Sequence, residues 1–522
     1  MGDNTAALDI NFSKRFSTNL ISNIIYFILN LIIGLALAPF FLDTLGPSAY
    51  GLIPLATSVS SYVTLLISSV NSSVSRFLTI DLQRGDIDAA NKTFNTALFG
   101  TLAIVLILLP ISMLIAFLAP TFFSIGEVAA TDVIWLFALV FISVLIRTWS
   151  STFMVPLFAH NRLDLRNYVE ISNLVVQVGL IVLFFAVFGP SLVLVGAAYV
   201  IAAVFSRILA GIYARKVSPY LKIQISKFVW GRFKEIGDVA LWMGFNMIGG
   251  LLYGQIGLMV VNIFFGDISG TQYSLCLTWG MLITNISGLV TNLFTPKIYS
   301  HYSRNDRDGL LKFTKFTIKI TGLFMALPIG LVYIFVPQLM TVWVGAEYAH
   351  LGSLVWILLL PIMTQVQASC IYPINNAYKK VRVPAIGNFA AGVINLTLAL
   401  SLPFVFDIGM YGVAVAYAVS MFFLTGFVSP FYNAYVMQAP KFTYFKYMVL
   451  CTGVVGIIFA FGMLYTSFVT VDSILMLLLS GLLISVVYGL IILLLVLKKE
   501  EKQWIRKCIP AGVGKFIPKW LL

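Results

Sequence analysis

TFNTALFGTLAIVLILLPISMLIAFLA, residues 93–119, runs for twenty-seven positions without a single charged side chain. A bilayer core takes roughly 20 apolar residues per helix, so this stretch reads as a membrane span. The run is solid rather than alternating, and backbone groups in hydrocarbon must pair internally, so the span is a helix and not a barrel strand. Working outward, thirteen similar stretches appear, at about 18–42, 50–75, 132–158, 168–188, 192–214, 237–265, 270–296, 314–340, 352–377, 385–406, 411–433, 447–468 and 473–497. Sixty per cent of the 522 residues are apolar and ten per cent charged, too little polar surface to cover a water-soluble globule. The predicted fold class is therefore an all-α polytopic membrane protein of about fourteen transmembrane helices.

The net charge of +13 raises the possibility of nucleic acid as a partner, and the placement of the charge rejects it. With the N-terminus inside, Lys14, Arg15 and the basic residues of 76–92, 162–166, 215–234, 297–319, 379–382, 441–446 and 498–519 all fall on one face. The opposite connections hold Asp43, Glu127, Asp132, Asp267, Glu347, Asp407 and Asp472, and neither Lys nor Arg. This is the positive-inside pattern, which predicts a multi-pass protein of the cytoplasmic (plasma) membrane with both termini cytoplasmic. Cys276, Cys370, Cys451 and Cys508 show neither disulfide nor metal spacing. The first apolar run lacks the cleavage pattern of a signal peptide and is expected to remain as the first span.

The two halves match in order. Phe40-Phe41-Leu42-Asp43 followed by Gly46 answers Phe264-Phe265-Gly266-Asp267 followed by Gly270, an offset of 224. Arg84-x-Asp86-x-Asp88 answers Arg304-x-Asp306-x-Asp308 at 220, and Pro120 and Pro156 answer Pro337 and Pro373 at 217. Duplication of a six-helix unit follows, and because six is even the repeats are parallel. The expected organisation is an N-terminal lobe (1–216), a basic cytoplasmic linker (217–236), a C-terminal lobe (237–436), and two extra helices with a basic tail (437–522). The lobes would enclose a central cavity and rock about it. Phe228, Trp230 and Phe233 among Lys227, Arg232 and Lys234 suit a linker lying at the headgroup surface.

Several stretches resemble the polysaccharide transporter branch of the multidrug, oligosaccharidyl-lipid and polysaccharide exporter superfamily. They are Leu45-Gly46-Pro47-Ser48-Ala49-Tyr50-Gly51, the span-twelve entry Gly409-Met410-Tyr411-Gly412-Val413-Ala414-Val415-Ala416-Tyr417-Ala418, and residues 233–273. The likeness covers nearly the whole chain. It implies a flippase that moves polyprenyl-linked oligosaccharides to the outer leaflet for surface glycan assembly. The expected partners are then a lipid-linked oligosaccharide, membrane lipids and glycan-assembly enzymes, with the chain a monomer and no cofactor needed.

An ionisable group at membrane depth costs several kcal/mol, so each one demands a partner or a wet cavity. Arg147 lies about 22 Å from the outer end of its span and about 18 Å from the inner, beyond easy snorkelling. Either it meets the diphosphate of a lipid-linked sugar, whose oxygens its fork matches, or it serves backbone carbonyls and polar neighbours between helices. Arg207, about 12 Å from the cytoplasmic end of span six, fits substrate contact or snorkelling. Arg76, Lys297 and Lys319 stand near inner helix ends, as topology anchors or the lining of a cytoplasmic mouth. Asn23, Asn30, Asn71, Asn246 and Asn285, with Asn19 and Asn292, could bind sugar hydroxyls or simply bond helix to helix. Every acidic residue falls in a loop, a tail or the outer turns of a helix, Glu170 and Asp238 coming closest to mid-span. A cation-coupled exporter needs a carboxylate at depth, so the sequence favours an anionic cargo. That exporter remains the alternative reading, together with a flippase for the peptidoglycan precursor, which differs only in cargo.

Three lures are declined. The sequons Asn91-Lys92-Thr93 and Asn395-Leu396-Thr397 lie on the inner side or within a span. Arg84-Gly85-Asp86 is cytoplasmic in this topology, and His160, His301 and His350 are too far apart in topology to form a metal site. An enzyme acting on lipid-linked sugars generally carries catalytic acids on a large outward loop, and the outward connections here are short.

Overall fold

The structure, a computed structural model, describes residues 6–471, 473–497 and 502. Among these residues there is no strand. The helices are α1 (Ala6–Leu45), α2 (Pro47–Gln83), α3 (Ile87–Phe122), α4 (Ala130–Ala159), α5 (Leu163–Phe188), α6 (Leu192–Val217), α7 (Trp230–Gly254), α8 (Ile256–Phe265) and α9 (Asp267–Ser303). They continue with α10 (Arg307–Val344), α11 (Gly352–Leu359), α12 (Ile362–Ser369), α13 (Tyr372–Ala377), α14 (Arg382–Val405), α15 (Met410–Phe422), α16 (Ser429–Val436), α17 (Phe445–Phe468) and α18 (Ile474–Ile491). Among the described residues thirteen segments are long and apolar enough to cross a membrane, each on a predicted span. The remaining prediction, 50–75, falls on α2, whose 37 residues reach about 55 Å despite a serine-rich middle.

Proline acts unevenly. Pro39, Pro54 and Pro328 sit inside continuous helices, whereas Pro361 separates α11 from α12 and Pro373 opens α13. Predicted span ten is thus three short helices. Predicted span seven is also divided, at Gln255 between α7 and α8. Between α15 and α16, residues Phe423–Val428 form a π turn in which the Ser429 N–H donates to the Leu424 carbonyl five residues back. Pro430 follows directly and has no N–H to continue the ordinary ladder, a physical reason for the register change there.

Two compact units emerge, Met1–Ser274 and Leu275–Leu522. The duplication is legible in their backbones. Gly46 (φ 83°) opens α2 as Gly266 (φ 92°) opens α9, a left-handed position that glycine fills without a Cβ penalty. Gly85 (φ 72°) and Asn305 (φ 54°) follow the ends of α2 and α9, and Asp86 and Asp306 then cap α3 and α10 by accepting from the N–H groups of Ala89 and Gly309. These pairs share an offset of 220. The loop pairing read from sequence at 224 is therefore four residues out of register, because its Phe-Phe signature lies on the helix before the turn rather than on the turn itself.

In the second unit, α17 is no loose appendix. Close approach to α10 is permitted by small residues: a Cβ on Gly462 would lie 2.1 Å from Ile334, and one on Gly330 2.5 Å from Ile458.

The joining segment, residues 218–229, is clasped to α3. Two buried asparagines one turn apart act as a partner strand. Asn91 donates to the Tyr220 carbonyl (3.0 Å) and accepts from the Lys222 N–H (2.8 Å); Asn95 donates to the Lys222 carbonyl (2.8 Å) and accepts from the Gln224 N–H (2.7 Å). Beyond them the Val229 N–H donates to Thr96, and Arg232 grips buried Asp81 through both carboxylate oxygens (2.9 and 2.7 Å) while its Nε donates to Thr93. Trp230 and Ile225 stay exposed, and Phe228, Trp230 and Phe233 cluster together.

Candidate substrate cavity

In the first unit, α2, α4 and α5 wall a cavity of about 920 Å³, a size suited to a small-molecule ligand. Arg147 lines it from α4 and Arg166 and Glu170 from α5, one turn apart on the same helix face. A smaller adjoining cavity of about 350 Å³ shares all three residues and adds Asn23 and Tyr26 of α1 with Asn167 of α5. The charge balance of these linings is two guanidinium groups against one carboxylate.

Arg147 is not alone: its Nη2 donates to Glu170 Oε2 at 3.0 Å, with the side chains 46% and 26% exposed. Of the two roles the sequence left open for Arg147, this bond is the one to a polar neighbour between helices, and the neighbour is Glu170, the carboxylate that comes closest to mid-span. Helices α4 and α5 are antiparallel across the tight connection 160–162, so residues at similar distances from the turn are neighbours, and two long side chains span the small offset that remains.

The rest of the wall sets four hydroxyls among the apolar Ile80, Val144, Met154, Val155 and Phe158. Ser75, Thr79, Thr148 and Ser151 each donate their proton to a carbonyl three or four residues back in their own helix. A hydroxyl so used keeps lone pairs for an incoming donor, which is the complement of a sugar hydroxyl. Asn71 donates to Ser151, which fastens α2 to α4, and its side-chain Oδ1 is buried without a partner among the described residues.

The other expected residues scatter. Asn23 accepts from Asn167 (2.8 Å), and Asn19 binds the α4–α5 turn through Asn161 and the Asp164 N–H, both of them helix-to-helix bonds. Asn30 on α1 and Asn285 on α9 are exposed and line neither cavity, and Lys297 is exposed near the end of α9. Lys319 is only 5% exposed, and its ammonium donates to the Val496 carbonyl (3.0 Å) in the π turn after α18. A cation suits such a helix C-terminus, and this bond accounts for a buried lysine that sequence placed at a mouth. Arg207 lines a different cavity from Arg147. The side chains of Asn246, Asn292 and Arg76 lie outside the described residues. Among the described residues no group of acids, histidines and cysteines could hold a metal.

Sequence reasoning missed Arg166, Glu170, Tyr26 and Ser151. Arg166 was counted only toward topology, and the i, i+4 spacing of Arg166 and Glu170 was the available signal.

Comparison with solved structures specifies the fold of this polytopic helical chain. The lipid II flippase MurJ in an inward closed conformation superposes with a TM-score of 0.65 at 14% identity, covering 91% of this chain and 98% of that one. An inward-facing multidrug resistance MATE family transporter of the MOP superfamily gives 0.62 at 14% identity, covering 82% and 95%. The fold of this chain is the one these two solved structures share. By sequence the chain is similar to the uncharacterized membrane protein EpsK of Bacillus subtilis, 25% identical over 500 residues that cover 94% of this chain and 98% of that one. No family model matches.

Proposed function

We propose that this protein is a flippase that moves polyprenyl-(di)phosphate-linked oligosaccharide across the plasma membrane by alternating access, for surface polysaccharide assembly. The observation that carries this reading is Arg147 standing at a cavity with Arg166 beside it and Ser and Thr hydroxyls on its wall. Phosphate oxygens would take the guanidinium groups, sugar hydroxyls the Ser and Thr acceptors, and the polyprenyl tail would stay in lipid. Support comes from the fold shared with a lipid II flippase and from the basic residues gathered on one face of the expected topology, a pattern that favours cytoplasmic termini. The lobes proposed are 1–216 and 237–436, joined by 217–236 and followed by 437–522.

In this arrangement Glu170 holds the site closed to chance anions. Arriving phosphate must displace it from Arg147, and a partly exposed pair resists by at most about 1 kcal/mol. Glu170→Gln should therefore tighten binding of a polyprenyl diphosphate sugar by up to about fivefold with transport retained, read as a binding isotherm and a leaflet-exchange rate in liposomes. Two observations favour the second reading, a cation-coupled exporter: that same carboxylate sits in the cavity, and a multidrug transporter is among the structural neighbours. Under that reading Glu170→Gln abolishes transport, so the variant separates the two.

A further inference from the structure

A second cavity, of about 570 Å³, lies between α6, the end of α4 and the clasped segment that follows α6. Three cations line it, Arg207, Arg215 and Lys222, and no acidic residue does. The Arg207 guanidinium carbon stands 3.6 Å from the centroid of the Phe153 ring and 4.5 Å from that of Trp149. Its Nε is buried without a hydrogen-bond partner among the described residues. One turn further along α6, Gly211 leaves the guanidinium room, since a Cβ there would come within 3.0 Å of Nη1. Aromatic faces thus support a cation that no carboxylate neutralises. Along the rim, Ile208 and Ile212 are each 55% exposed, and Ile223 is exposed beside Lys222. In a membrane protein such side chains meet acyl chains.

We infer that this groove binds the headgroup of an anionic phospholipid, with the phosphate against Arg207, Arg215 and Lys222 and the chains along the isoleucines. Cationic pockets beside membrane helices suit such headgroups. The site is separate from the Arg147 cavity and needs no transported cargo. Because Lys222 is also held by Asn91 and Asn95, a bound lipid would brace the joining segment against α6.

Trp149 beneath Arg207 supplies a local readout. The full-length protein in detergent is titrated with brominated phosphatidylglycerol, brominated phosphatidylcholine, and unlabelled glycerol 3-phosphate as competitor, and the Trp149 signal is isolated by subtracting a Trp149→Phe variant. Phosphatidylglycerol should quench at more than about tenfold lower mole fraction than phosphatidylcholine, and glycerol 3-phosphate should not displace it. The double variant Arg215→Gln/Lys222→Gln, changed only at exposed positions, should need about thirtyfold more phosphatidylglycerol, while its thermal midpoint and leaflet-exchange rate stay unchanged. Equal quenching by both lipids, an unshifted double variant, or displacement by glycerol 3-phosphate at matched concentration each overturns the proposal. Since the readout is quenching, its failure is distinct from a failure of the transport reading.

Discussion

Arg147→Ala should slow leaflet exchange of a fluorescent polyprenyl diphosphate sugar by about a hundredfold, with little change in thermal stability. The rate effect follows from losing a forked, charge-assisted contact to phosphate, roughly 3 kcal/mol for two such hydrogen bonds. The stability is spared because the ion pair with Glu170 is partly exposed, and such pairs contribute about 1 kcal/mol or less. Truncation also leaves Glu170 facing the cavity without its partner, and that charge could by itself repel an anion. The double variant Arg147→Ala/Glu170→Gln removes the repulsion. It should remain as slow as Arg147→Ala, because the missing element is the donor fork rather than an excess of negative charge. Arg147→Lys should recover part of the rate, a point charge replacing a fork.

The second large effect is structural. Arg232→Ala should lower the thermal midpoint by about 3–5 °C, from a loss of about 3–5 kcal/mol, because Asp81 is left buried and charged with only Thr93 among the described residues to bond it. Replacing both partners, as Asp81→Asn/Arg232→Met, should restore most of the midpoint, since the cost lies in the orphaned charge and not in the absence of the pair. Circular dichroism or nanoscale fluorimetry of purified protein reads both. The effect matters for function because the same contacts fasten the first turn of α7 onto α2 and α3.

Much of the fold lay open in the sequence because lipid imposes a simple rule. Solid apolar runs of fixed length become helices, and thirteen predicted spans coincide with segments long and apolar enough to cross. The interruptions were less legible. Pro361 breaks its helix while Pro328 does not, since a missing amide can be tolerated or not according to packing that the sequence does not display. The site was half visible. Arg147 announced itself by depth, which the helical rise measures directly. Its partner Glu170 did not, because lateral register between α4 and α5 depends on how tightly residues 160–162 turn. Asn91 shows the opposite failure: read only as part of a sequon to be declined, it is a buried bracket that holds an extended backbone. Nothing in local composition distinguishes an asparagine that bonds main chain from one that waits for sugar.

The central claim, an anion-selective cavity that carries a lipid-linked glycan, is tested most directly by cargo. Proteoliposomes of the unmodified protein should accelerate leaflet exchange of a polyprenyl diphosphate oligosaccharide well above protein-free vesicles, and should leave the uncharged polyprenyl-linked sugar and a cationic dye unmoved. Transport of the cationic dye down an imposed ion gradient, with the diphosphate lipid left where it started, would contradict the account.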